Sequence, residues 1–322
     1  MQFLPSEVYG RAMTAAAVNH NNAAAVTWVG LLIAEGLLLF HLSAMVHRRL
    51  LESASASGGT HRVMPMRPPW ELPGVSVATA AVAWVMFKNS FRSVRGRVAV
   101  LLPGPMMAII SLVLLRRPDA SSWIMTLDTH SHLLFGASLM IALFAVHPFT
   151  LNQFASDRAG LTLQLLLPVS AQDLVRGKAI GGGALFLLAA ILCGLASALA
   201  TGGGSPAAWA MTLAAGLATY VAVTPIAAIL SALFPVVADM SKAGSGGNPH
   251  VAAALLGMVA VGIAALPVLA IAIPATLTGA APSFALMAMV VWLGVASVIA
   301  WLLLGAVARV VTARRENLFL TK

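Results

Sequence analysis

Apolar and polar positions alternate along this chain in long blocks. Seven windows are predominantly apolar over the roughly 20 residues that a membrane-crossing helix needs. They run over about 25–46, 98–116, 131–149, 180–201, 206–234, 251–273 and 284–308. Helix breakers fall inside several of them. Pro103 and Pro105 interrupt the second window, Pro225 the fifth, and Pro267 and Pro274 the sixth. Each removes a backbone donor that must be replaced in lipid, so breaks are expected against neighbouring helices or a cavity. The stretch 271–283, rich in Ala, Gly and Pro, reads as a broken, re-entrant region before the last span.

The polar blocks predict the remaining elements. Residues 52–75, with a Ser/Ala/Gly run and then prolines to Pro73, read as a flexible linker. Residues 76–97 are too charged to span. Helical spacing puts Lys88, Arg92 and Arg95 on one face and Trp84, Phe87, Phe91 and Val94 on the other, the pattern of a helix lying in the membrane interface. Between the third and fourth windows, residues 161–167 form a short apolar run ended by Pro168. Ser170 followed three positions later by Asp173 reads as a capping box that opens a helix through Arg176 and Lys178. A short hydrophobic bar, held outside the bilayer by the Asp157-Arg158 turn, suits either an ordinary amphipathic loop or a docking surface.

Composition sharpens this picture. Sixty per cent of the 322 residues are hydrophobic, 9% are charged, and the mean hydropathy is +0.92. A soluble globule carries roughly 25% charged residues, so the expected class is an all-α polytopic membrane protein with about seven transmembrane helices. The net charge of +9 is spread thinly, not gathered into a stripe that would fit nucleic acid, and anionic lipid headgroups account for it better. The distribution of Lys and Arg fixes an orientation. If the first span runs from outside to inside, sixteen of the nineteen basic residues are cytoplasmic, and only Arg11, Arg116 and Arg117 lie outside. The N-terminus is then expected outside and the C-terminus in the cytoplasm.

Candidate chemistry is sparse. The single cysteine, Cys193, excludes a disulfide framework and a Cys-based zinc site. Gly177-Lys178 lacks the rest of a phosphate-binding loop, and no common hydrolase or metal motif occurs, so neither ATP hydrolysis nor a bound metal is expected of this chain. Glu35, near the middle of the first span, is the intramembrane polar candidate, either a proton or cation site or a neutral carboxyl bonded to another helix. Asp128, His130 and His132 read as a solvated connector in preference to a metal trio. Arg116 and Arg117 are expected to snorkel from a helix end, and Met106, Met107, Met125 and Met140 to serve as packing.

One segment carries a resemblance. The string Asn152-x-Phe154-x-x-Asp157-Arg158-x-Gly160, continuing through Leu167-Pro168-x-Ser170-x-x-Asp173-Leu174 to Gly177-Lys178, resembles the cytoplasmic coupling segment of type-2 ATP-binding-cassette (ABC) exporter permeases. That family has an amphipathic cytoplasmic helix followed by six spans, with the coupling helix between the second and third. Residues 76–311, about three quarters of the chain, reproduce that order. The resemblance implies a six-span permease core over 76–311, with interfacial helix 76–97 and coupling segment 151–178. Residues 1–51 add an outer segment and an extra span, and 312–322 form a cytoplasmic tail. Longer members carry a preceding set of spans, so this chain is either the C-terminal portion of such a permease or a shorter version.

The implied function is that of a permease subunit in the plasma (inner) membrane, moving substrate at the expense of ATP hydrolysed by a separate, soluble ABC ATPase subunit. ATP and magnesium belong to that partner, and a second permease copy or companion half completes the path among the membrane lipids. Asp157 and Arg158 are expected to orient the coupling turn. Leu163, Leu165, Leu166 and Leu167 would pack against the ATPase, with Ser170 and Asp173 capping the next helix. The competing reading is a membrane scaffold or assembly subunit with the same fold and no path. A membrane-embedded enzyme lacks any nucleophile or metal constellation.

Overall fold

The computed structural model describes residues 5–17, 22–55, 73–115, 131–154, 164, 168–201, 205–236, 249–277 and 281–314. Among these residues there are ten α-helices and no strand. They are α1 Pro5–Ala17, α2 Asn22–Ser55, α3 Val77–Arg92, α4 Val94–Leu101, α5 Pro103–Leu115, α6 Ser131–Thr150, α7 Ala171–Thr201, α8 Pro206–Leu233, α9 Val251–Leu277 and α10 Pro282–Ala313. The chain divides into two units, Met1–Arg67 and Pro68–Lys322.

In the first unit, α1 packs along α2 and buries Val8, Ala12 and Ala15, which share one helical face. The Arg11 guanidinium lies 5.1 Å from the centre of the Trp28 ring, a cation–π contact between the two helices. Helix α2 continues past Glu52 to Ser55, so the stretch read as linker begins within a helix. Glu35 falls in α2, but its side chain lies outside the described residues.

The second unit is organised around α7, which touches α3, α4, α5, α6, α8 and α10. Its sequence explains why so many neighbours fit. A Cβ at Gly181 would sit 2.7 Å from the Ala83 carbonyl oxygen of α3, and one at Gly182 would sit 2.6 Å from the Tyr220 hydroxyl of α8. Missing side chains therefore let two helices approach α7 from different sides, as small residues do wherever lipid provides no hydrophobic drive for helices to associate. Tyr220 uses that space to donate to the Ala179 carbonyl at 3.0 Å, and its ring stacks on Phe186 with centroids 5.3 Å apart. The main apolar cluster surrounds this contact, with Leu143, Val146, Leu185, Cys193 and Val223 buried together.

Four helices are long and apolar enough to cross a membrane, with spans over Ala171–Leu199, Pro206–Leu233, Val251–Ala275 and Ser283–Ala313. Val77–Arg92 with Val94–Ile110 makes a fifth if that bent pair is one span, and Leu134–Thr150 is a shorter apolar helix. The chain is thus an all-helical, multi-pass membrane type, with four to five long spans among the described residues where seven are expected from sequence. Helices α9 and α10 leave rows of large apolar side chains uncovered, among them Leu255, Val259, Ile263 and Leu266, and Val291, Val298 and Leu302. Apolar surface of this extent suits hydrocarbon, not water.

The prolines behave differently from their sequence reading. Pro103 does start a new helix, α5, but α8 runs unbroken through Pro225, and α9 runs through Pro267 and Pro274 to Leu277. The expected break over 271–283 is therefore absent from 271–277, which are helical, and residues 278–280 lie outside the described residues. Pro225 is buried among packed helices, the setting in which an interrupted backbone is tolerated.

The expected single interfacial helix over 76–97 is also revised. It stops at Arg92, and α4 leaves at 89°. Ser93 makes the corner: its amide donates to the Asn89 and Ser90 carbonyls, while its hydroxyl accepts from the Gly96 amide and donates to the Ser90 carbonyl. Arg95 therefore lies on α4, off the face of Lys88 and Arg92, with its guanidinium 5.9 Å from the Phe149 ring centre. Trp84, Phe87 and Phe91 form a stacked row. Phe87 and Phe91 press half-buried against the main cluster, and Trp84 stays exposed.

Only glycine fits inside the corner, because a Cβ at Gly96 would fall 1.8 Å from the Ser90 carbonyl oxygen. Gly96→Ala is expected to open the bend and to cost about 1–3 kcal/mol, the range for overpacking a filled site. Gly262→Ala, where nothing lies within 4 Å, should leave stability unchanged. Thermal unfolding of the purified variants in detergent compares the two.

Candidate functional site

The polar side chains that tie helices together gather where α6 and α8 end and where α3 and α7 begin. Two of them were legible as a capping box. The Ser170 hydroxyl donates to Asp173 Oδ2 and accepts from the Asp173 amide at 3.0 Å, closing the first turn of α7. The other carboxylate oxygen reaches a second helix. Asp173 Oδ1 accepts from the Ser76 hydroxyl and, at 2.7 Å, from the Thr79 hydroxyl. Ser76 is the N-cap of α3, and its oxygen also accepts from the Thr79 amide. One carboxylate thus sits at the N-termini of two adjacent helices, where both dipoles favour a negative charge.

A cation closes the other side. Lys178 lies one and a half turns further along α7 and is 1% exposed. Its ammonium donates to the Gln153 carbonyl at 2.7 Å and sits 5.6 Å from the centre of the Phe154 ring. Gln153 follows the C-terminus of α6, so the charge also faces the negative end of that helix. Asn152 binds the backbone of Val236, just beyond α8, in both directions: its amide donates to the Val236 carbonyl at 2.7 Å, and its carbonyl accepts from the Val236 amide at 3.3 Å. The Phe154 amide donates to the Ser231 hydroxyl of α8, and the Phe154 ring is fully buried among Val82, Leu174, Val175, Leu304 and Val307.

These bonds give the segment 151–178 a closed base. Its first residues, Asn152 and Phe154, are anchored to Val236 and to Ser231 of α8, and Ser170 and Asp173 near its other end are anchored to α3. The Lys178–Gln153 bond joins its exit to its entrance. Arg176 adds a link to α10, its guanidinium 4.0 Å from the Trp301 ring centre and its Nη2 donating to the Trp301 carbonyl at 3.4 Å. Beside the junction, a cleft of about 480 Å³ opens between Ser170 and Gln172 on one wall and Arg309 and Thr312 of α10 on the other.

Of the residues singled out in sequence, the structure brings Ser170 and Asp173 into this junction. Asp157, Arg158, Leu163, Leu165, Leu166 and Leu167 lie outside the described residues, as do Asp128, His130, Arg116 and Arg117, and the side chain of His132. No cluster of three metal-ligating side chains occurs among the described residues. Ser76 and Thr79 were missed, although Ser-x-x-Thr after Pro73-Gly74 is itself an N-cap signal. Gln153 and Val236 act through their backbones, which no side-chain pattern announces.

Compared with protein-family models, with characterised proteins and with solved structures, the chain gives no match in any of the three.

Replacing Asp173 removes acceptors from two helix starts at once. Asp173→Ala is expected to cost about 1–2 kcal/mol, in line with lost hydrogen bonds to a charged group, and Ser76→Ala about 1 kcal/mol, in line with a lost N-cap. Amide hydrogen exchange separates them. Asp173→Ala should speed exchange in the first turns of both α3 and α7, whereas Ser76→Ala should act mainly on α3.

Proposed function

We propose that this chain is the permease subunit of an ATP-driven exporter of the plasma (inner) membrane, with 151–178 as the element that receives force from a separate ATPase. The supporting observation is the closed base of that segment. Six residues of the string that resembles the family's coupling segment, Asn152, Phe154, Ser170, Asp173, Gly177 and Lys178, all stand at helix contacts. Phe154 grips α8 and Asn152 the chain just beyond it, Ser170 and Asp173 join α7 to α3, and Lys178 joins the two ends. Gly177 lets α3 close on α7, since a Cβ there would lie 2.7 Å from the Thr79 carbonyl.

A push on the loop is therefore delivered to α7, the helix that touches most of the others. A loop tethered at flexible ends would dissipate the same push. In this reading the spans number seven, the N-terminus is outside, and the surplus of Lys and Arg faces the cytoplasm with the loop. Nucleotide and magnesium are held by the ATPase, and a second permease copy or a companion half completes the path.

The test is reconstitution with the soluble ABC ATPase subunits of the source cell, each tried in turn. The expected result is that the full chain in vesicles recruits one of them and raises its turnover. Asp157→Ala, and Asp at Leu165, Leu166 and Leu167, should abolish recruitment without unfolding the bundle. A result in which none of them binds the chain or changes its turnover would overturn the proposal and leave a scaffold role.

A further inference from the structure

A second feature lies at the opposite ends of the same helices. Between the N-terminal halves of α6, α8 and α10 and the C-terminal part of α9 there is a cavity of about 290 Å³. Its walls include Met140, Met211, Leu269 and Met289, with Gly136, Gly216 and Ala272 supplying the room. The size is roughly twice that of a ~150 Å³ apolar cavity that stays dry and takes up benzene. Thr212 and Thr219 are the polar side chains on its surface, and each spends its proton on its own helix. Thr212 donates to the Ala208 carbonyl at 2.8 Å and Thr219 to the Ala215 carbonyl at 3.0 Å. Among the described residues no ionisable side chain lines it, so neither an ion nor a sugar would find compensation for lost hydration there. The rim is formed by Leu269, which is 46% exposed on the same apolar surface of α9 that faces hydrocarbon, whereas Met289 at the interior is fully buried.

We propose that this cavity is a binding site for one hydrocarbon chain of a membrane lipid, entered sideways past Leu269. Four properties specify that occupant: an apolar lining, hydroxyls already engaged, a volume several methylenes deep, and a mouth on the lipid-facing side. The flexible thioethers of Met140, Met211 and Met289 suit a chain that has no fixed shape. The site does not depend on the ATPase reading, because it requires only that α9 faces the bilayer.

Photolabelling of the full chain tests it, with no ATPase or nucleotide present. The protein is reconstituted in phosphatidylcholine nanodiscs that contain a trace of phosphatidylcholine carrying a diazirine along one acyl chain, then irradiated and mapped by peptide mass spectrometry. Adducts are expected on Met211 and Met289, which bulk lipid cannot reach, as well as on Leu269. Ala272→Phe and Ala215→Phe, each filling the cavity, should remove the Met211 and Met289 adducts while labelling of exposed Leu255 and Val259 persists. Either variant alone suffices if the other fails to fold. Free palmitate added in excess should leave the labelling in place, and loss of the adducts to palmitate would mean that a free fatty acid, not a lipid, owns the site. Adducts restricted to exposed residues, or unchanged in the filled variants, would overturn the proposal.

Discussion

In hydrocarbon, apolar side chains gain nothing by choosing one neighbour over another, so register between helices has to come from close approach and from polar bonds. In this molecule both are concentrated in the first turns of α7. Asp173 anchors α3 from the negative side and Lys178 anchors the end of α6 from the positive side, while Gly177 and Gly181 bring the α3 backbone into contact. Each charge is placed at the helix end whose dipole it complements. Without these contacts, α7 would still be helical and apolar, but its register against α3 and the end of α6 would lose its main polar and close-packed determinants.

How much of this was legible depends on the range of the signal. Helix starts are local, and the Ser170–Asp173 box and the last four apolar windows were readable. The elbow was not, because Lys88, Arg92 and Arg95 keep helical spacing straight through it. The bend depends instead on Ser93 and on the one position, Gly96, where a side chain would strike the Ser90 carbonyl. Prolines misled in the opposite direction. Their effect in water is to end a helix, but Pro225 and Pro267 sit in helices that packing and lipid hold together. Bonds to backbone atoms, as at Gln153 and Val236, leave no trace in residue identity at all.

The bundle is lopsided in a way that composition alone could not convey. Helix α8 is buried along most of its length, with Thr219, Thr224 and Ser231 all satisfied by local carbonyls or, for Ser231, by the Phe154 amide. Helices α9 and α10 are more apolar yet far less covered. The polar residues therefore mark the interior of the bundle, and the greasiest helices form its rim, the reverse of the arrangement in a protein dissolved in water.

The bond between Lys178 and the Gln153 carbonyl has an entropic consequence. It fastens together two points 25 residues apart in sequence, so the chain between them behaves as a closed loop on a fixed base. The free energy of closing such a loop rises only with the logarithm of its length, about 0.6 kcal/mol for each doubling. The sequence between Phe154 and Ser170 is thus free to lengthen, shorten or change while the residues on either side keep the helices in register. A protein built this way holds its membrane scaffold constant and leaves the connecting loop open to be rewritten.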